Sequence, residues 1–268
     1  MASPFETTPV DGHEIAFRRF GAGAGAPPLL LVHGLFGDSS TVAALAHELS
    51  ASFDVIALDA LGHGHSSHPS EFTLDDQARA VLGLATALGL DRFALVGISM
   101  GSYIAQAAAI RDPARISSLV LVVSKAHGLT SSSAAYAARH GFDLAAATDE
   151  EAFAFLAGAV WSPDTSEADR RRIGDELVAD VALTPPERAA VEASLAGFDL
   201  RPTLPLMTAP TLVLSGAADG LNPPSAGQEV AELIRGAVFR VYEHSGHALA
   251  SEERERFVAD VVAFAGLV

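Results

Sequence analysis

The stretch "LVGISMGSYIA" (residues 95–105) decides how the fold of this chain is interpreted. Its apolar residues run up to Gly97 and a helical pattern begins at Met100, so a strand passes directly into a helix around Ser99. A turn this tight holds the serine at strained backbone angles and presents its hydroxyl outward, while glycines two residues before and after it allow close backbone approach. The first amides of the helix point to the same place. The stretch predicts a nucleophilic serine; an ordinary strand–helix turn is the alternative for these residues alone.

Strand-like and helix-like segments alternate on both sides of this turn. Short apolar runs predict strands, and amphipathic segments between them predict helices. The predicted strands, with the loops that end them, cover residues 14–20, 29–34, 53–64, 92–99, 116–124, 209–216 and 237–247; the predicted helices cover 40–49, 73–90, 100–112, 223–236 and 251–267, and a Gly/Ala/Pro-rich loop covers 21–28. This alternation predicts an α/β fold with a mostly parallel sheet covered by helices on both faces.

The alternation stops between residues 128 and 206, where no strong buried strand is found. Four helical segments fit this stretch instead, at residues 131–147, 149–160, 166–181 and 186–196. We therefore predict a core domain in two parts, residues 1–127 and 207–268, with a helical cap at 128–206 inserted between them. Most aromatic residues of the cap are expected to pack within it, and Trp161, at a helix break, is the candidate to face a pocket.

Composition limits the classes of function. The chain has 268 residues and a net charge of −16, and so acidic a composition predicts no nucleic-acid partner because phosphate binding needs a basic face. There is no cysteine, so disulfides, zinc–thiolate sites and a cysteine nucleophile are excluded. The first residues lack the pattern of a signal peptide, and no apolar run is long enough to span a membrane, so we expect a cytoplasmic protein.

A serine nucleophile needs a base, and the base needs an acid that orients it. Enzymes with this kind of serine turn carry the acid and then the histidine later in the chain, each at the end of a strand, and this sequence has a suitable residue in both places. Asp219 comes just after the strand at 209–216, and His247 lies in the loop before the last helix. His244 is the alternative base, but it stands nearer the strand; Asp59 is an alternative acid that comes too early in the chain.

The loop after the first buried strand, "HGLFG" (residues 33–37), is predicted to complete the site. Leu35 is expected to give one backbone N–H to the developing oxyanion, and Met100, directly after the serine, is expected to give the second. His33 and Gly34 are assigned to the substrate-binding site through this loop, with the His33 side chain satisfied by backbone groups.

Three histidines in "LGHGHSSH" (residues 61–68) raise the question of a metal site. His63, His65 and His68 are metal-ligating residue types, but a flexible, glycine-rich loop is a poor rigid frame for a metal. We therefore predict no metal.

Five motifs together resemble one known family. They are "LLLVHGLFG", "DALGHGHS", "LVGISMGSYIAQ", "DLRPTLPLMTAPTLVLSGAADGLNPP" and "HSGHALASEERERF". The chain resembles the capped, single-domain α/β-hydrolases, a group of esterases, enol-lactonases, C–C bond hydrolases and cofactor-free haloperoxidases. The resemblance covers both parts of the core, and Ser102 departs from it because many members have a second glycine there, a change expected to tighten the helix start slightly.

The resemblance implies a serine hydrolase that cleaves an ester, lactone or related carbonyl compound of small, largely apolar character without a cofactor. Two alternatives remain open. The same site can serve another reaction, such as perhydrolysis, haloperoxidation, acyl transfer, cyclisation or lyase chemistry, or the chain can be a small-molecule receptor that keeps the three residues. The oligomeric state stays open as well.

Overall fold

The structure, a computed structural model, describes residues 4–21 and 25–266. Eight strands form one sheet in the order β1-β2-β4-β3-β5-β6-β7-β8. The strands are β1 (Phe5–Val10), β2 (His13–Phe20), β3 (Pro28–Val32), β4 (Asp54–Leu58), β5 (Phe93–Ile98), β6 (Ile116–Val122), β7 (Thr211–Gly216) and β8 (Val238–Tyr242). The strands from β3 to β8 pair in parallel, and the β1–β2 hairpin joins β4 antiparallel. The predicted mostly parallel sheet is confirmed.

Helices cover both faces of the sheet because each buried strand sends alternate apolar side chains to opposite sides. Leu30 of β3 belongs to one apolar cluster and Leu31 to the other. The first cluster includes residues of α2 (Leu74–Ala87), α3 (Met100–Arg111) and α8 (Pro224–Leu233), and the second includes residues of α1 (Ala43–Leu49), α9 (Leu249–Glu252) and α10 (Arg254–Ala265). The core therefore consists of two apolar layers with the sheet between them.

The stretch from residue 128 to residue 206, hereafter the insertion, separates β6 from β7. It contains α4 (Ser132–His140), α5 (Asp149–Ala157), α6 (Glu167–Glu176) and α7 (Pro185–Ser194). Its two ends meet, since Gly128 N donates to Phe198 O (2.7 Å) and Leu200 N donates to Ala126 O (2.9 Å). The insertion thus leaves and re-enters the core at one place.

Several boundaries differ from those predicted. The strand β1 was not predicted, and the expected helix at 131–147 ends at His140 because Gly141 adopts a left-handed conformation (φ 65°). The expected single helix at 251–267 is two helices that break at Glu253, and residue 267 lies outside the described residues, as do residues 22–24 of the predicted loop at 21–28. None of the helices in the described part of the chain is long and apolar enough to cross a membrane.

Candidate active site

Ser99 lies between β5 and α3 in a conformation that few non-glycine residues adopt (φ 53°, ψ −115°). Two glycines make this turn possible. A Cβ atom on Gly97 would lie 2.2 Å from the backbone oxygen of Gly101, and one on Gly101 would lie 2.3 Å from that of Val32. Because β5, α3 and β3 meet this closely, the serine lies at the carboxyl edge of the sheet. Its backbone N–H donates to Val122 O (2.9 Å).

His247 and Asp219 meet Ser99 in one line of hydrogen bonds. His247 Nε2 lies 2.9 Å from Ser99 Oγ, and His247 Nδ1 lies 2.8 Å from Asp219 Oδ2. The neutral imidazole that satisfies both contacts carries its proton on Nδ1 and accepts from the serine hydroxyl on Nε2. The Asp219 side chain is completely buried, and its other oxygen accepts from the backbone N–H groups of Leu221 and Asn222 (2.9 Å each). This arrangement can transfer a proton from serine to histidine and stabilise the imidazolium that results.

The alternative base and acid lie elsewhere. His244 is exposed and pairs with Asp164 (2.7 Å), and this carboxylate raises the pKa of His244. Asp59 is buried and accepts from the backbone N–H groups of Ser39 (2.7 Å) and His65 (2.8 Å), so its carboxylate holds two loops together. Neither residue contacts the serine.

The loop after β3 lies against the serine. A Cβ atom on Gly34 would lie 3.7 Å from Ser99 Cβ, so the backbone of this loop is within reach of a group bound to the serine. Among the described residues, no group accepts a hydrogen bond from the N–H of Leu35 or from that of Met100. Both amides are therefore available as donors.

The His33 ring is part of the frame of this loop. It is completely buried, its Nδ1 lies 2.7 Å from Gly34 O, and its Nε2 accepts from Ala60 N (3.1 Å). Burial lowers the pKa of His33, which keeps the ring neutral with its proton on Nδ1. Because both ring nitrogens are occupied, any contact of this residue with a substrate has to use its backbone.

The three histidines of residues 61–68 have separate environments. Burial lowers the pKa of His63 to about 3, and His65 stacks on Phe5 with 3.9 Å between ring centroids. His68 reaches across to the insertion, with its Nδ1 2.9 Å from a carboxylate oxygen of Glu187. In the described part of the chain, no three His, Asp or Glu side chains are grouped as a metal ion would require.

The insertion holds both loops that carry the base and the acid. The backbone oxygen of Val160 accepts from His247 N (2.7 Å), and that of Ala159 accepts from Gly220 N (2.9 Å), one residue after Asp219. Trp161 follows directly and is half-buried; a Cβ atom on Gly246 would lie 2.9 Å from its carbonyl carbon. The predicted pocket residue therefore lies beside the histidine loop.

Sequence reasoning missed four residues near this site: Tyr103, Lys125, Asn222 and Glu252. Burial raises the pKa of Tyr103 to about 12, and partial burial lowers that of Lys125 to about 8. Tyr103, Asn222 and Glu252 lie within motifs of the sequence, but those motifs gave them no role. A signal did exist for two of them, because Lys125 is the only lysine and Asn222 the only asparagine in the chain.

Known proteins share this architecture. A family model described as the alpha/beta hydrolase fold matches residues 27–253. The pimeloyl-[acyl-carrier protein] methyl ester esterase of Vibrio vulnificus (strain CMCP6) is 27% identical over 250 residues, which cover 90% of this chain and 94% of that protein. The enol-lactonase from Burkholderia xenovorans LB400 has a TM-score of 0.82 at 29% identity, covering 97% of this chain and 99% of that one. A hydrolase from Pseudomonas aeruginosa PA01 has a TM-score of 0.81 at 29% identity, covering 99% and 100%.

Proposed function

The chain belongs to the α/β-hydrolase family and is a hydrolase, and from that premise we propose that it cleaves a carboxylic ester or lactone through an acyl-enzyme on Ser99. The observation that carries this proposal is the line of hydrogen bonds from Ser99 Oγ to His247 Nε2 (2.9 Å) and from His247 Nδ1 to Asp219 Oδ2 (2.8 Å). Nucleophile, base and orienting acid are thus already within hydrogen-bond reach of one another.

In the first half of the proposed reaction, Ser99 Oγ attacks the carbonyl carbon of the substrate while His247 takes the proton of the serine hydroxyl. Asp219 holds the imidazole in the Nδ1–H form and stabilises the imidazolium. The amides of Leu35 and Met100 donate to the oxyanion, and the loss of one such donor costs about 10²- to 10³-fold in kcat. His247 then passes its proton to the departing alcohol oxygen.

In the second half, a water molecule attacks the acyl-enzyme. His247 takes a proton from that water and returns it to Ser99 Oγ as the tetrahedral intermediate collapses. The carboxylic acid leaves, and the serine hydroxyl is restored for the next cycle.

The proposed substrate is a small molecule with a largely apolar acyl or alcohol group. The Leu35 side chain is 41% exposed next to the proposed oxyanion site, which favours apolar contact there. Two relatives bear names that imply cleavage of an ester or lactone bond, a methyl ester esterase and an enol-lactonase. We further propose that residues 128–206 act as a cap, with Trp161 against the bound substrate.

The test compares hydrolysis of p-nitrophenyl butyrate by the wild type, Ser99→Ala and the control Ser166→Ala, which changes a helix-capping serine of the insertion. We expect Ser99→Ala to lose at least about 10⁴-fold in kcat, as when a member of such a triad is removed, and Ser166→Ala to keep its activity. A fluorophosphonate probe followed by mass spectrometry should label the wild type once, on Ser99. Folded wild type that takes no label would contradict the proposal and favour the receptor alternative.

A further inference from the structure

Asn222 joins four parts of the active-site region. Its side chain is buried, and its Nδ2 donates to the Tyr103 hydroxyl and to Val123 O, both at 2.7 Å. Its Oδ1 accepts from Ser132 Oγ (2.7 Å) at the start of α4, and its backbone N–H donates to Asp219 Oδ1 (2.9 Å). The only asparagine of the chain therefore uses both side-chain donors, a side-chain acceptor and its backbone N–H within one buried network.

Tyr103 connects this network to α3, the helix that begins directly after the nucleophile. Tyr103 lies one helical turn after Ser99 on α3, and its ring packs on Phe198 with 5.2 Å between centroids. Burial raises the pKa of Tyr103 to about 12, so the phenol is protonated at neutral pH. The Asn222 amide donates to the phenol oxygen and so holds the first turn of this helix.

Val123 connects the network to the backbone that holds the serine. It has a positive φ of 46°, which is a strained conformation for a β-branched residue. The preceding residue, Val122, accepts the hydrogen bond from Ser99 N, and Val123 O accepts from Asn222. The amide of Asn222 thus helps to hold the strained segment directly behind the nucleophile.

We propose that Asn222 is a positioning residue that fixes the nucleophile and the acid relative to each other from one point. This inference rests on the proposed function, since it needs Ser99 and Asp219 in those roles. The Asn222 side chain acts on Ser99 through Tyr103 and Val123. Its backbone N–H donates to the Asp219 carboxylate and so orients it. Its loss should slow the chemical step and leave substrate affinity unchanged, because Asn222 acts through other residues.

The kinetic test uses Asn222→Ala, Tyr103→Phe and the double variant with p-nitrophenyl butyrate. A misplacement of about 1 Å can cost about 100-fold in rate, so we expect kcat of Asn222→Ala to fall about 10- to 100-fold with KM within about twofold. Tyr103→Phe should show a smaller fall of the same kind, and the double variant should lose less than the product of the two single losses. A kcat within about twofold of wild type in both single variants would overturn the proposal, and so would a change confined to KM.

A spectroscopic test is possible because the chain has a single asparagine. Asparagine-selective ¹⁵N labelling of the full chain gives one side-chain amide to follow, even if Asn222→Ala fails to fold. We expect its two protons to be protected from solvent exchange and both signals to move in Tyr103→Phe and after phosphonylation of Ser99. Signals that exchange like those of a free amide, or that stay unchanged in Tyr103→Phe, would contradict the proposal.

The two proposals fail in different ways. A wild type that takes no label on Ser99 removes the proposed function and this inference with it. A labelled, active wild type whose kcat is insensitive to Asn222→Ala and Tyr103→Phe removes this inference alone.

Discussion

The central sheet and the insertion are stabilised by different interactions. Every residue of β7 is buried, and Leu29 to Val32 of β3 are fully inaccessible to solvent. In α4 and α6 of the insertion, only Ala137 and Ile173 are buried. Apolar burial contributes most of the folding free energy of a domain, so the sheet provides stability that the insertion cannot provide for itself.

The last part of the insertion packs on the core through apolar side chains, since Leu183, Val191 and Leu204 belong to the first buried cluster, and polar contacts add further connections. The polar contacts include the ion pair Arg18–Asp180 (2.6 Å) and the contact of His68 with Glu187 (2.9 Å). Three hydrogen bonds add to them, from Val181 N to Asp38 (3.1 Å), from Gly220 N to Ala159 O (2.9 Å) and from His247 N to Val160 O (2.7 Å). Other aromatic residues of the insertion pack on one another, as Phe142 does on Phe155 at 4.0 Å. The difference teaches that contacts which contribute little stability can still hold the loops that carry Asp219 and His247.

A core deletion should have the largest effect on stability. Leu31→Ala removes a fully buried side chain from β3, and we expect a loss of about 2–5 kcal/mol in the free energy of unfolding because a cavity remains. Urea unfolding followed by circular dichroism measures it. A loss below about 1 kcal/mol would mean that the sheet repacks freely, and the comparison with the insertion would fail.

The next largest effect is expected at Glu252, where the core meets the insertion. One of its carboxylate oxygens accepts from Gly246 N (2.7 Å), next to the histidine, and the other accepts from Ser162 N (2.9 Å) in the insertion. Glu252→Ala leaves both amides without this partner, so we expect about 1–3 kcal/mol of destabilisation and a fall of about tenfold in kcat. The control is Glu232→Ala, which changes an exposed glutamate of α8 that contacts Gln228. Equal kinetics in the two variants would show that the insertion does not hold the histidine loop.

A pH-dependent effect is expected at Lys125, which follows β6 and donates to Thr130 O (3.1 Å) in the insertion. Burial lowers its pKa from 10.5 to about 8, so between pH 8 and 10.5 the unfolded chain binds more protons at this residue than the folded chain. The stability of wild type relative to Lys125→Met should therefore rise across that window, by on the order of 1 kcal/mol once solvent screening is allowed for. Urea unfolding of both proteins at pH 7, 8, 9 and 10 tests this. A constant difference would contradict it, and no other lysine is present to obscure the result.

The smallest effect is expected on the outer face of the insertion. Phe153 on α5 is 77% exposed, so Phe153→Ser should change the free energy of unfolding by less than about 0.5 kcal/mol. The same urea experiment provides the measurement. A loss comparable with that of Leu31→Ala would show that this face is packed in solution, and the contrast between the two regions would disappear.

Local patterns were sufficient to predict the parallel part of the sheet. Each buried strand is a short apolar run with turn residues after it, and the Gly97–Gly101 turn is defined within five residues. The missed strand β1 also had a local signal. Asp11 and Gly12 form a two-residue turn with φ of 50° and 84°, which is typical of a hairpin, but the prediction began only at residue 14.

Contacts between segments that are distant in the chain could not be predicted from the sequence. The break at Glu253 coincides with a hydrogen bond from Ser245 Oγ to its carboxylate (2.7 Å), and no local pattern indicates that partner. Asn222 and Tyr103 are 119 residues apart, and their contact exists only because α3 and the loop after β7 meet at the same edge of the sheet. The motifs predicted which residues lie near the serine, but the buried network behind them follows from three-dimensional packing.

The contacts of Ala159 and Val160 have a consequence for exchanging parts between related enzymes. Both residues hold the loops of Asp219 and His247 through main-chain oxygens, so these contacts do not depend on side-chain identity, although Ala159 is fully buried beside Gly220 and leaves room only for a small side chain. A chimaera that receives a foreign set of insertion helices should keep its catalytic geometry when the path of the chain through residues 158–162 is preserved. Chain length at this crossing, together with a small residue at position 159, is then what a designer of such hybrids has to conserve.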